Sequence, residues 1–261
     1  MHPTKRHFLR ALFLTSAIAS SAFSQTGTFT SMSMASYGPL VSPDSIVAGF
    51  GMNLGTGNTA GSPPLQTTLA GASVSITDSA GTKFAAPLYL ISPGQINYLV
   101  PAAARIGKAA VTVTTSSGTL QGSLLISNVA PAIVTASSDG KGVPAAQVFR
   151  LNAAGMTSLQ LAFMGSAGAY VPAPINLSAS ADQVYLMLYG TGVRRHSLNP
   201  VFAMLGGIRV PIQYAGPQSQ FPGLDQINVG PLPQTLVGKG AVNLVLTVDG
   251  VPANTVALNI Q

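Results

Sequence analysis

The chain contains no cysteine, no tryptophan and no glutamate, and charged residues make up only 7% of its 261 residues. The absence of cysteine excludes disulfide bonds and thiolate zinc sites, so stability must come from the burial of apolar side chains. Glutamate is absent and lysine and arginine together number only 12, so the charged residues that favour the exposed faces of helices are scarce. Glycine, proline, serine, threonine and valine are abundant instead, which is typical of a β-rich extracellular protein with many turns.

The first residues have the pattern of a secretory signal peptide. Three basic residues precede a short apolar core at 11–19, and small residues follow at 22–24. We predict a signal peptide at 1–24, cleaved between Ser24 and Gln25, and a secreted or cell-surface protein; an uncleaved anchor is the alternative. The apolar core is shorter than a membrane-spanning helix requires, and no later segment is long and apolar enough to supply one.

The remaining charge is small. After removal of the predicted signal peptide, nine basic residues stand against six aspartates, a net charge of +3. A nucleic-acid-binding protein would be expected to cluster its lysines and arginines, whereas here they are scattered apart from Arg194 and Arg195. We therefore expect no nucleic-acid partner.

Two segments of the chain repeat at a separation of 131 residues. The motif Gln95-Ile96-Asn97 recurs as Gln226-Ile227-Asn228, and the run that begins at Gly107 recurs at Gly238. A separation of domain length indicates two copies of one domain rather than a solenoid. We expect Gln95 to superpose on Gln226 and Gly107 on Gly238.

The pattern of short apolar runs between Gly/Ser turns predicts an all-β protein. We assign immunoglobulin-like β-sandwiches to 41–128 and 173–261. The polar stretch 25–40 has no clear period and is predicted to be a flexible leader. Alternating apolar residues in 129–172 predict a β-rich connecting segment, with a hairpin around 152–155, that packs against one sandwich and makes the two domains a semi-rigid pair.

Several runs of residues resemble a known family. They are APLYLISPGQINYLVP (86–101), DGKG followed by AAQ (139–147) and QYAGPQ through FPGLDQIN (213–228). They are similar to the uncharacterised C-terminal domain of secreted acidobacterial proteins of the Solibacter type, with two immunoglobulin-like (IPT/TIG-like) repeats, and the likeness covers 38–261. The resemblance implies a secreted module without known activity, and it supplies no catalytic residues.

The two amide pairs, Gln95 with Asn97 and Gln226 with Asn228, are the most conspicuous polar motif. Residues i and i+2 of a strand point to the same face, so each pair could present two amides to a sugar. The alternative is a structural corner, in which the amides are buried and bonded to main-chain groups, because buried amides nearly always have partners. The duplication favours the structural role.

The densest positive charge is at Arg194, Arg195 and His196. A loop of this kind could bind an anion or an acidic glycan, with Tyr214 as a further binding residue; the alternative is an ordinary solvated loop. The strand tyrosines, Tyr214 among them, could form a platform on which sugars stack, or could pack in the core or between domains. These tyrosines are Tyr170, Tyr185, Tyr189 and Tyr214.

His196 is the one histidine beyond the predicted signal peptide, and a serine hydrolase could use it with Asp182 or Asp225 as the orienting carboxylate. The motif Gly-x-Ser-x-Gly is absent, however, and so are phosphate-loop and dinucleotide motifs and the ligand spacings of zinc and EF-hand calcium sites. We therefore predict no cofactor and no metal.

These observations predict a secreted, non-enzymatic binding or cell-surface interaction module. The expected partners are a polysaccharide or a cell-envelope protein. The alternative is a purely structural module that assembles through exposed edge strands. A secreted hydrolase using His196 is the third hypothesis.

Overall fold

The computed structural model describes residues 27–166, 169–198 and 201–261, and the predicted signal peptide lies outside these ranges. The chain is all-β: within the described ranges, every regular element is a strand apart from one 3-10 turn at Gln234–Leu236. Those same residues contain no helix of the length and apolarity that crossing a membrane requires.

The first half of the chain forms one eleven-stranded sheet. Its strands are β1 (Gly27–Ser33), β2 (Leu40–Val41), β3 (Ile46–Phe50), β4 (Thr59–Ala60), β5 (Thr68–Leu69), β6 (Ala72–Thr77), β7 (Lys83–Ala86), β8 (Leu88–Ile91), β9 (Gln95–Leu99), β10 (Gly107–Thr115) and β11 (Gly118–Ile126). Their order is β4-β8-β9-β3-β1-β11-β10-β6-β5, with β2 on β11 and β7 on β6. Side chains from distant strands of this order, such as Ile76 of β6 and Leu88 of β8, share one core.

The second half forms two six-stranded sheets and a separate two-stranded hairpin. Its strands are β12 (Ala132–Ile133), β13 (Gln147–Leu151), β14 (Thr157–Leu161), β15 (Phe163–Ser166), β16 (Ala169–Pro172), β17 (Pro174–Ile175), β18 (Gln183–Thr191), β19 (Phe202–Leu205), β20 (Ile208–Val210), β21 (Ile212–Pro217), β22 (Asp225–Val229), β23 (Gly240–Val248), β24 (Val251–Pro252) and β25 (Val256–Ile260). One sheet has the order β14-β13-β18-β22-β21, with β12 on β18, and the other has the order β17-β25-β23-β19-β20, with β24 on β23. Both contribute to a single core, as in a β-sandwich.

The stretch predicted to be a flexible leader contains a strand in the middle of the first sheet, so that prediction was wrong. β1 pairs in parallel with β11 and antiparallel with β3. Its inward residues are Phe29, Ser31 and Ser33. Two of these three are polar, so β1 lacks the apolar alternation that predicts a strand. Ser31 is buried because its hydroxyl accepts a hydrogen bond of 2.9 Å from Tyr98.

The segment 129–172 does contain the hairpin predicted around 152–155, between β13 and β14. It is not a separate connector, however. β12 and β13 both pair with β18, and Val129, Ile133 and Val148 belong to the core of the second half. The second half therefore starts near residue 129 rather than at the predicted 173, because its central strand β18 needs a partner on each side.

The strand pairings repeat between the two halves. Asn97 of β9 pairs with β3 and β8, and Asn228 of β22 pairs with β18 and β21 in the same arrangement. Each of the two ladders also has a register shift opposite this asparagine, between Leu88 and Leu90 in the first and between Ile212 and Tyr214 in the second. A bulge at the same ladder position supports duplication, and the assignment of each half to the immunoglobulin class stays a prediction.

Gly107 and Gly238 do not occupy equivalent ladder positions. Gly107 pairs with Ile126 at the end of β11, whereas Gly240 pairs with Ile260 at the end of β25. The connection that follows β22 includes a 3-10 turn and brings the chain into β23 two residues later than the sequence match predicted.

Candidate functional site

Arg194, the first residue of the predicted positive cluster, is held by a buried carboxylate. Asp225 has no exposed surface, and its Oδ1 lies 2.7 Å from Nε of Arg194. Its Oδ2 accepts hydrogen bonds from the main-chain N–H groups of Val193 and Arg194. Burial raises the pKa of Asp225, while these N–H groups and the guanidinium oppose that shift. The guanidinium of Arg194 therefore compensates an internal charge.

Arg195 joins the two halves of the molecule. Its Nη2 lies 2.8 Å from Oδ2 of Asp44 and 2.6 Å from the carbonyl oxygen of Ala102. Next to it, the hydroxyl of Thr191 accepts a hydrogen bond from the N–H of Ile46 and donates one to the carbonyl of Gly223. The positive cluster thus lies at a junction between the halves.

The loop between β21 and β22, which contains Gly223, packs closely on the first half. Gly223 has a φ of +79°, and a Cβ there would lie 2.3 Å from Cδ1 of Leu99 and 2.8 Å from Cγ1 of Ile46. The adjacent Pro222 accepts a hydrogen bond from the hydroxyl of Tyr89. Burial raises the pKa of that hydroxyl to about 12, so it remains a donor at neutral pH.

His196 is not arranged as a general base. Its two ring nitrogens lie 2.7 Å from the carbonyl oxygen of Ser197 and 3.2 Å from that of Ala215. The two carboxylates considered as orienting groups are engaged elsewhere, Asp182 with Arg150 and Asp225 with Arg194. A triad needs the carboxylate on the histidine itself. The described residues also contain no group of three or more side chains able to hold a metal ion.

The amide pairs differ from their predicted arrangement. They are half-buried rather than buried, and each glutamine donates to its own asparagine rather than to the main chain. Nε2 of Gln95 lies 2.7 Å from Oδ1 of Asn97, and Nε2 of Gln226 lies 2.9 Å from Oδ1 of Asn228. Residues i and i+2 on one face of a strand are close enough for this contact. Among the described contacts, Oε1 of Gln226 and Nδ2 of Asn228 have no protein partner.

The second pair lies on a sheet face rich in aromatic side chains. Along β18 and β22 one set of alternate residues is buried, and on β13 Val148 is buried on the same side, so the other set faces outward. We call the outward set, together with Tyr214 and Gly216 of β21, the aromatic face. Its members are Gln147, Phe149, Leu151, Gln183, Tyr185, Met187, Tyr189, Tyr214, Gly216, Gln226 and Asn228.

Neighbouring side chains hold the aromatic rings in place. The Tyr185 hydroxyl donates to Gln183 at 2.9 Å, and the Tyr189 hydroxyl donates to Gln147 at 3.1 Å. The rings of Phe149 and Tyr185 are 6.2 Å apart between centroids. These contacts make the aromatic face a preorganised surface rather than a set of mobile side chains.

Tyr214 lies against the main chain of its own strand. A Cβ on Gly216 would be 2.9 Å from the Tyr214 hydroxyl oxygen and 3.1 Å from Cζ, so only glycine leaves room for the ring in this position. The hydroxyl donates to the carbonyl of Pro217 at 2.7 Å. Tyr214 is 41% exposed, and the ring therefore presents one side to solvent.

The other predicted platform residue, Tyr170, is elsewhere. It lies on β16 and makes an edge contact with Phe163 of β15, with 5.4 Å between ring centroids. The equivalent surface of the first half is partly covered. There Asn97 and Leu90 line a cavity of about 320 Å³ together with Phe221 and Leu224 of the second half.

No protein-family model matches the chain. A search of curated proteins also returned no match. The resemblance to acidobacterial domains therefore stays a prediction.

Similar solved structures are distant. A Bacteroides ovatus mixed-linkage glucan utilization locus protein, SGBP-B, in complex with a mixed-linkage heptasaccharide, is 12% identical over 85% of this chain and 44% of its own, with a TM-score of 0.33. Yersinia pseudotuberculosis InvD is 12% identical over 90% of this chain and 58% of its own, with a TM-score of 0.24. The extracellular region of plexin A4 is 10% identical over 99% of this chain and 17% of its own, with a TM-score of 0.25. This chain spans less than two thirds of each of these proteins, and likeness at this level carries no argument about function.

Three of the four aromatic residues on this face were candidates from the sequence, and Phe149 was not. Tyr185, Tyr189 and Tyr214 were candidates, but nothing in their spacing assigned them to one face. Phe149 is half-buried on the same face. The alternation of Gln147, Phe149 and Leu151 with Val148 and Arg150 was the available signal, but it could not say which neighbour strand β13 would join.

Proposed function

We propose that the protein is an extracellular carbohydrate-binding module, and that a neutral polysaccharide lies on the aromatic face. The observation that carries this proposal is the placement of Phe149, Tyr185, Tyr189 and Tyr214 on one side of a single sheet, next to the open amides of Gln226 and Asn228. The predicted signal peptide supports an extracellular location.

The chemistry of the aromatic face matches that of a sugar chain. Tyrosine rings supply rigid, amphipathic contact area at a low cost in side-chain entropy, and the C–H groups of a pyranose ring can pack on them. An amide both donates and accepts hydrogen bonds, as a sugar hydroxyl does. Oε1 of Gln226 supplies an acceptor and Nδ2 of Asn228 a donor, side by side.

The charge of this surface favours a neutral ligand. No member of the aromatic face is charged. The predicted anion-binding residues Arg194 and Arg195 are instead paired with Asp225 and Asp44. An acidic glycan would need cations placed to meet its carboxylates, so we place the ligand on the aromatic face and not at the positive cluster.

Affinity electrophoresis in gels containing neutral or acidic polysaccharides tests the proposal. We expect retardation in one or more of the neutral gels. In Tyr185→Ala and Tyr214→Ala the affinity should fall by about tenfold, equivalent to about 1.4 kcal/mol. The matched control is Tyr170→Ala, which removes a tyrosine that is not on the aromatic face and should leave binding unchanged.

Two results would reject the proposal. One is the absence of retardation by every neutral polysaccharide. The other is equal retardation of the wild type, Tyr185→Ala and Tyr214→Ala, which would show that the ligand binds elsewhere. Circular dichroism of each variant establishes that the fold is retained, so that a loss of binding is a property of the surface.

A further inference from the structure

β14 is an edge strand without protection. It lies at the end of its sheet and pairs on one side only, with β13. All five residues, Thr157 to Leu161, are exposed, so neither face of the strand is covered. Leu159 is 53% exposed and Leu161 is 51% exposed. No charged residue occurs between Arg150 and Asp182.

The outward main-chain groups of β14 can be assigned from its ladder. The N–H of Ala162 donates to the carbonyl of Ala146, and the N–H of Asn152 donates to the carbonyl of Met156. Hydrogen-bonded pairs alternate along an antiparallel ladder, so the even-numbered residues of β14 bond to β13. The N–H and C=O groups of Thr157, Leu159 and Leu161 therefore point away from the sheet.

Natural proteins usually protect such an edge with a charge, a proline or a covering segment. Among the described strands of five residues or more, the other one at a sheet edge is β21. It contains Pro217, and the His196 ring lies at the carbonyl of Ala215. β14 has no such protection, which is expected of a strand that pairs with another strand.

We infer that β14 pairs with β14 of a second copy of this chain and makes a two-fold symmetric dimer. The sequence of the strand is self-complementary in antiparallel register. With the two-fold axis at Leu159, Leu159 meets Leu159, Ser158 meets Gln160 and Thr157 meets Leu161, so the four leucines of the two copies share one face and the polar Ser158 and Gln160 share the other. The outward groups of three residues in each copy would form about six hydrogen bonds.

A second copy is favoured over an unrelated strand because this register opposes Leu159 with its own copy, places the polar Ser158 and Gln160 together and brings no charges together. The symmetry also has a geometric consequence. Leu159 pairs with Phe149 on the aromatic face. A two-fold axis perpendicular to the sheet leaves the aromatic faces of both copies on the same side, joined through the leucines.

Sedimentation velocity over a range of protein concentrations tests this inference on the purified protein. We expect the wild type to sediment as a dimer, with about twice the mass of the chain. Leu159→Lys should sediment as a monomer because two like charges would face each other across the axis. Thr114→Lys is the matched control: it adds the same charge at an exposed position of β10, a strand paired on both sides, and should remain dimeric.

A cross-link reports the register itself. The chain contains no cysteine, so Leu159→Cys introduces a single thiol on the proposed axis. Opposed residues of a hydrogen-bonded pair have Cα atoms about 5.5 Å apart, within the usual range for a disulfide. Mild oxidation should convert Leu159→Cys, but not Thr114→Cys, into a covalent dimer.

A monomeric wild type, a dimeric Leu159→Lys or the failure of Leu159→Cys to cross-link would overturn the inference. These readouts do not involve a polysaccharide, so their outcome is independent of the proposed function.

Discussion

Arg195 and Asp44 form an ion pair between the two halves of the chain, with 2.8 Å between Nη2 and Oδ2. The preceding residue, Arg194, forms a second pair with Asp225 inside the second half. Two adjacent arginines therefore have different roles. One compensates a buried charge, and the other links two cores across a partly solvated junction.

The two arginines are expected to differ in their contribution to stability. Arg194→Ala leaves Asp225 buried without its counter-ion and should lower the free energy of unfolding by about 3–5 kcal/mol. Arg195→Ala breaks a pair that is 39% and 23% exposed, so water screens it and the loss should be at most about 1 kcal/mol. Denaturation with urea measures both losses. Equal losses would contradict the assignment of the two roles.

The buried hydroxyl pair of Ser31 and Tyr98 should show an asymmetry between its two partners. Ser31→Ala leaves the Tyr98 hydroxyl buried without an acceptor and should cost about 1–3 kcal/mol. Tyr98→Phe leaves behind the smaller hydroxyl of Ser31, which is 8% exposed, and should cost less. The double variant Ser31→Ala/Tyr98→Phe removes both polar groups and should be more stable than Ser31→Ala. Thermal unfolding of the three variants tests this order, and an additive double variant would be inconsistent with the pairing.

Stability should decline in acid partly through Asp78. The pKa of Asp78 lies below its ordinary value of 3.8, mainly because its carboxylate accepts a hydrogen bond from the main-chain N–H of Arg105. A folded-state pKa below the unfolded value gives stability that is present above pH 3.8 and is lost as the pH falls towards the folded pKa. Asp78→Asn cannot titrate, so its urea midpoint should fall less than that of the wild type between about pH 5 and pH 3. The pKa values of Asp139 and Asp249 are also lowered. The loss of stability in acid should therefore be smaller in Asp78→Asn than in the wild type, but it should not disappear. Identical pH profiles would show that Asp78 does not contribute.

Gly216→Ala should separate binding from folding. The new Cβ would displace the Tyr214 ring, whose far end can move at little cost in stability. We expect polysaccharide affinity to fall by about tenfold, as in Tyr214→Ala, while the urea midpoint changes little. Gly57→Ala is the control, because a Cβ at that position meets no atom within 4 Å. Unchanged affinity in Gly216→Ala would mean that the position of the Tyr214 ring does not matter for binding.

Local patterns in the sequence predicted the all-β class and several individual elements. The hairpin between β13 and β14 lies at 152–155, where its turn residues predicted it. These predictions succeed because the period of a strand and the conformation of a tight turn depend on neighbouring residues only. The duplicated amide motif was visible for the same reason.

Long-range pairing was not visible in the sequence. β1 reads as polar, and it is a strand because β3 and β11 leave a gap that only a third strand can fill. Arg194 and Arg195 read as a solvated positive cluster, but the fold brings them to Asp225 and Asp44, which lie 31 and 151 residues away in the chain.

The sequence by itself determined that this chain would form strands, and where most of them lie, because each strand's buried side chains recur at every second residue. Only the tertiary structure decided which strands became neighbours. That choice places Phe149, Tyr185, Tyr189 and Tyr214 on one face and leaves β14 at an open edge. The physical reason is that side-chain alternation specifies which residues of a strand face the core, but not which other strand will complete its hydrogen bonds.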